Sequence, residues 1–216
     1  MKTAVCLSLS SLLFISGAAM AVEEPDYTIL LQADDFELRR YDAQIVAETW
    51  VTGDRNEASR TGFKTLADYI FGNNTTPSGG SSEISMTTPV KTQAQAANGN
   101  SSESQKIAMT APVNMQQADG KWRVRFVMPS SYTLQTLPKP NNSEVSIIEI
   151  PVQTYGVVKF SGLAGSDKVA DKTKELQNWM ASQNLIVTGQ PELARYNPPW
   201  TLPFMRRNEV MIAYQQ

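Results

Sequence analysis

The sequence predicts an α+β protein: one antiparallel sheet carrying two helices, built from a module that occurs twice. Three observations point there. A strand–turn–strand–helix pattern over Phe36–Ile70 returns over Val145–Met180, about 110 residues later. Two segments place apolar residues at helical spacing, whereas the other apolar runs are short and bounded by turn residues. A repeat of that length is no solenoid, whose periods run about 20–50 residues. The two copies are therefore expected to fold together, with both helices packed on a shared sheet.

The elements follow in order. Tyr27–Gln32 and Phe36–Tyr41 are β-prone runs split by the turn residues Ala33-Asp34-Asp35. Gln44–Val51 (QIVAETWV) continues as a strand and Thr52-Gly53-Asp54 closes it. Asp54 is then a suitable N-cap for a helix whose Phe63, Leu66, Ala67 and Ile70 recur at i, i+3, i+4 and i+7. Gly72-Asn73-Asn74 stops it. Trp122–Pro129 (WRVRFVMP) alternates, which puts Trp122, Val124, Phe126 and Met128 on one face of a strand.

A proline-punctuated loop, Tyr132–Asn142, leads into the second copy. Val145–Ile150 and Tyr155–Phe160 are strands separated by Pro151, and a helix is expected from about Asp167 to Ser182. Its stripe is Val169, Thr173, Leu176 and Met180, widened by Trp179. Leu185–Thr188 or Glu192–Tyr196 supplies the next strand, and Glu209–Tyr214 the last.

Residues 1–21 stand apart. Lys2, an apolar run from Ala4 to Ala19 and the Ala19-Met20-Ala21 end have the layout of a secretory signal peptide cleaved near Ala21. The expected product, residues 22–216, is one exported domain in the periplasm or secreted, with its duplicated halves at about 27–130 and 140–214. The lone Cys6 falls in the leader, so packing without disulfides must stabilise the domain. No later segment approaches the roughly 18 apolar residues of a membrane span, so no integral membrane contact is expected after cleavage.

A formal net charge of −2, with no basic run, speaks against nucleic acid as a partner. The chain has no histidine. Serine or cysteine triads, ordinary zinc centres and an imidazole ligand to haem iron are thereby excluded.

Ile84–Val90 (ISMTTPV) and Ile107–Val113 (IAMTAPV) are near-copies joined by the polar segment Lys91–Lys106. They read as a hairpin with Met86 and Met109 as core filler, or as an apolar wall for a flat ligand. On the first helix, Arg60 and Lys64 flank the apolar stripe and could hold acid groups of an amphipathic ligand. Tyr196–Phe204 (YNPPWTLPF) is a rigid aromatic loop, and Arg206-Arg207-Asn208-Glu209 reads equally as an anion clamp or a structural ion pair. Trp50, Trp122 and Trp200 could form a cage for a cation. A hydrolase would have to use Glu48 or Glu209 as base with Tyr155 or Tyr196 assisting. Asp34-Asp35 reads as a turn, and Gly79-Gly80 lacks the residues of a phosphate loop.

LADYIFGNN, KIAMTAPVNM, WRVRFVMP, VVKFSG and ARYNPPWTLPFMRRNEV, in that order, resemble the SOUL haem-binding protein family over nearly the whole exported chain. The resemblance implies a distorted antiparallel β-barrel of duplicated β-α-β modules with two flanking helices, a fold shared with small-molecule effector-binding domains. It implies non-enzymatic binding of haem or a related tetrapyrrole or hydrophobic ligand in a groove beside the first helix, without a histidine ligand. The residues it points to are Arg60, Phe63, Lys64, Ala67 and Ile70. Of the animal members' anchoring positions only the arginine, at Arg60, is kept. Ala67 stands where they have methionine, Asp68 where they have lysine, and Thr201 near their loop lysine.

Overall fold

The structure is a computed structural model that describes residues 23–81 and 112–215. The expected leader with its cleavage point, both copies of the Met-Thr-x-Pro-Val motif up to residue 111, Met86, Met109 and Lys91–Lys106 lie outside the described residues.

The elements are β1 (Tyr27–Ala33), β2 (Phe36–Tyr41), β3 (Gln44–Val51), α1 (Arg55–Ile70), β4 (Asn74–Thr75), β5 (Val113–Ala118), β6 (Lys121–Val127), β7 (Lys139–Pro140), β8 (Ser146–Ile150), β9 (Gln153–Ser161), α2 (Ser166–Ser182), β10 (Ile186–Val187), β11 (Glu192–Arg195) and β12 (Arg207–Gln215). Both alternatives for the strand after the second helix form, as β10 and β11. Asp54 caps α1 as expected: its carboxylate accepts from the Asn56 and Glu57 amides at 2.8 and 3.0 Å. Asp119 and Gly120, both at positive φ, make the tight turn that joins β5 to β6.

The main sheet is antiparallel throughout, in the order β1-β2-β9-β12-β11-β5-β6-β3-β8, with β10 on β12. That order is symmetric about the central β11–β5 pair. β12 and β6 flank the pair, β9 and β3 come next, and β2 and β8 lie beyond them. β2 of the first copy thus pairs with β9 of the second, and β8 of the second with β3 of the first. The duplication is therefore built as two interlocked halves.

The helices lie on the outer face of this curled sheet, α1 over β3 and β6 and α2 over β9 and β12. Each makes its own core. Leu66, Tyr69 and Ile70 of α1 pack on Ala47, Val124 and Phe126; Leu176 and Met180 of α2 pack on Val158, Val210 and Ile212. Trp179 widens the second stripe as expected by stacking on Phe36, with ring centroids 5.1 Å apart. The fold class is α+β with a half-barrel sheet and two flanking helices.

Candidate functional site

Strand register decides which side chains share the inner face. Glu37, Arg39 and Tyr41 lie there, opposite Val157, Tyr155 and Gln153. So do Glu209 and Met211, Glu192 and Ala194, Arg123 and Arg125, and Glu48. One small cavity is lined by Tyr41 and Gln153 from one end of the sheet and by Gln44 and Ile150 from the other, so the sheet curls around this face.

The inner face is charged, yet its charges cancel. Arg39, fully buried, donates to Glu37 at 2.6 Å and to both Glu209 oxygens at 2.9 and 3.0 Å. Tyr196 donates to Glu209 at 2.7 Å and Arg207 at 3.0 Å, Lys159 holds Glu37, and Arg207 also holds Glu24 at 3.0 Å. Three carboxylates thus face three cations. Burial by itself would raise the Glu209 carboxyl, but the bonds and charges of Arg39, Tyr196 and Arg207 together hold it below its ordinary range. The second network joins Arg125 to Glu48 at 2.6 Å and Arg123 to Glu192 at 3.3 Å, again neutral. Burial raises the Glu192 carboxyl despite the two arginines.

These networks bear on two readings. Arg207-Asn208-Glu209 is a structural set: Arg207 pairs with Glu209, and Asn208 donates to Gly162 O at 3.0 Å. The structure does bring Glu209 and Tyr196 together, but the carboxylate is fully buried and saturated with donors, a poor arrangement for a general base. Glu48 is likewise held by Arg125 and, at 2.9 Å, by the Trp50 indole.

The inner cavity measures about 30 Å³. A larger cleft of about 390 Å³ opens at the rim, where Ile45, Met128, Tyr132 and Leu134 meet the carboxylates of Glu23, Glu24, Asp26, Asp42 and Glu149. Its charge repels an acidic ligand. Among the described residues no group of three His, Cys, Asp or Glu could hold a metal ion, and no helix is long and apolar enough to cross a membrane.

On α1 the five residues expected at the site divide into two stripes. Ile70 is fully buried and Ala67 nearly so, both turned to the sheet. Phe63, half-buried, meets Phe126 edge-on at 5.4 Å. Arg60 and Lys64, one turn apart, are exposed. The first three residues therefore build the core beneath the helix, and the two cations stand in solvent beside them.

A model of the SOUL heme-binding protein family matches residues 22–104 and 94–213. The chain belongs to the SOUL family. No curated protein matches the sequence. Among solved structures, the EcmrR C-terminal domain superimposes with a TM-score of 0.55 at 10% identity, over 88% of this chain and 98% of that one. A protein described as a hydrolase from Listeria innocua gives 0.53 at 11% identity, over 91% and 94%. An uncharacterized conserved protein from the same organism gives 0.55 at 10%. At these identities the likeness is one of fold alone.

Among the described residues of this SOUL fold, the proline-aromatic loop after β11 carries the largest group of highly exposed apolar side chains. Trp200, Leu202 and Phe204 are 63%, 56% and 72% exposed, and Leu163 of the β9–α2 loop is 60% exposed. The two loops touch, since the Gly162 amide donates to Pro203 O at 2.9 Å. The tryptophan cage is not formed. Trp50 pairs with Arg123 on the inner face, so Trp122, next to Arg123 and opposite Val51, points outward and donates to Gly53 O at 3.2 Å.

The inner-face residues Arg39, Arg123, Arg125 and Glu192 were not singled out in the sequence. WRVRFV and FELRRY read as strands with one wet face, and curling of the sheet buries that face as well. The signal available was arginine and glutamate alternating with β-branched and aromatic residues in several strands at once.

Proposed function

We propose that this SOUL family member is a non-enzymatic, exported binder of haem, a related tetrapyrrole or a similar amphipathic ligand, held on the outer face beside α1. The observation that carries this reading is where the molecule leaves charge and apolar surface unused. The inner face is neutral and nearly filled, and the rim cleft is acidic. The outer face instead shows Arg60 and Lys64 in solvent and large exposed side chains on the two loops.

Those features fit the group. A macrocycle is flat and apolar and would lie on residues such as Trp200, Leu202 and Phe204. Its acid groups are met by cations. Bound haem supplies iron chemistry of its own, and no histidine of this chain modifies it. The residues of the chain bind and orient the ligand.

Titrating haemin into the protein, followed at the Soret band, tests this. A saturable shift is expected, weakened about tenfold or more in a Leu202→Asp, Phe204→Asp double variant that puts charge on the apolar rim. A linear, unsaturable signal would overturn the reading.

A further inference from the structure

Arg55, Arg195 and Arg206 are the half-buried cations that take part in none of the ion pairs among the described residues. Their positions are not scattered. Arg195 ends β11, at the central pair of the sheet, and its register with Asn208 and Val113 puts it on the outer face between the two helices. There its guanidinium donates to Ser59 of α1 at 3.2 Å. Arg55 opens α1 and reaches across to the other half, donating to Ala164 O at 2.8 Å just ahead of α2. Its Nε is buried and has no partner. Arg206 fastens the proline-aromatic loop by donating to Thr201 O at 2.7 Å and to Pro199 O.

Three cations are thus gathered where the two halves meet. Burial lowers the pKa of Arg195, and the charges of Arg55 and Arg206 lower it further, so the cluster works against itself. The N-terminus of α2 beside it is capped by Gly165 with no side-chain acceptor. Leu163 sits in the chain next to Ala164, which Arg55 holds, and its loop touches the one that Arg206 holds. Uncompensated positive charge and exposed apolar surface therefore adjoin.

We infer that Arg55 and Arg195, backed by Arg206, form the acid-binding end of the ligand site, taking the carboxylates of an amphipathic ligand whose apolar body lies on Leu163, Trp200, Leu202 and Phe204. This rests on the ligand-binding reading above and moves the acid contacts from the α1 stripe to the junction of the halves. Arg60 and Lys64, being exposed, attract an anion only through screened solvent and add little to affinity. A porphyrin dicarboxylate and a fatty acid are two sources of the same chemistry.

The test uses haemin, protoporphyrin IX, its dimethyl ester and dodecanoate, each titrated into the protein. Absorbance reports the porphyrins and tryptophan fluorescence the fatty acid. Arg55→Gln and Arg195→Gln are expected to weaken the acid probes about tenfold or more, to leave the ester unchanged, and to exceed any effect of Arg60→Gln with Lys64→Gln. If dodecanoate binds through Arg55 and Arg195 while haemin does not bind, the tetrapyrrole reading fails and the acid site stands. The inference is overturned if the acids bind Arg195→Gln as they bind the parent, if the ester loses as much as the acid, or if neither acid binds the parent. Without ligand, Arg195→Gln should melt no lower than the parent, because it relieves repulsion. A fall of several degrees would show that the arginine serves the fold.

Discussion

Glu209 shows how a single carboxylate is kept charged in a closed face. Arg39 grips it with two bonds, Tyr196 and Arg207 complete the shell, and Arg39 lies 4.3 Å above the Tyr27 ring. Its folded pKa lies below the ordinary 4.5. The stabilisation is therefore full above that ordinary value and is lost as pH falls through the lower, folded one. Glu209→Gln should lower stability at pH 7 by about 3–5 kcal/mol, because Arg39 loses one of its two buried counter-charges and Arg207 loses the buried carboxylate it pairs with. The same change should flatten the acid limb of a urea-denaturation series run from pH 7 to pH 2; an unchanged acid limb would count against it. Half of this arrangement was legible in the sequence. Arg207 and Glu209 stand two residues apart and were weighed as a pair, but Arg39 lies 170 residues from its partner, and nothing local in FELRRY announces it.

At the scale of elements, each helix comes down on its sheet through a glycine, and the two contacts differ in kind. On α1, a Cβ at Gly62 would lie 2.5 Å from Val124 Cγ2 and 2.8 Å from Val124 Cβ, a stiff β-branched side chain. Under α2 the glycine is on the strand: a Cβ at Gly156 would meet the Met180 sulfur at 2.5 Å, and a thioether can swing aside. Gly62→Ala should therefore destabilise by about 1–3 kcal/mol even though alanine is the better helix former. Gly156→Ala should cost less. Chemical denaturation of the two variants checks the order, and Val124→Ala added to Gly62→Ala should recover part of the loss. Helices were the most legible elements, since Asp54 and the stripe ending at Ile70 mark α1 from within its own sequence. β4 and β7 went unread because each is a two-residue pairing inside a stretch of turn residues and prolines, without the apolar run that marked β10. The outer positions Val124 and Phe126 were placed on the correct face. The burial of Arg123 and Arg125 on the opposite face was not legible, because it depends on how far the sheet curls.

For the molecule as a whole, the symmetric sheet order explains why the proposed site falls between the two helices. Exchange of β2 and β8 between the halves locks the two copies together, and the seam left between the helices runs along β11 and β5. Arg195 lies at the end of that seam, and Arg55 bridges it from α1 toward α2. The duplication was readable from pattern. The seam was not, because Arg55, Arg195 and Arg206 belong to three separate stretches that only the tertiary fold brings together. In the proposed reading the two faces divide the work: the inner face is a neutral ionic core, and the outer junction, with its unpaired arginines and exposed apolar side chains, takes the ligand. Amide hydrogen exchange with and without saturating protoporphyrin IX tests that division most directly. Protection is expected across Arg55–Lys64 and Trp200–Arg206, with the inner strands unchanged. Protection centred instead on Tyr41, Tyr155 and Glu192 would place the ligand inside the half-barrel and contradict the account.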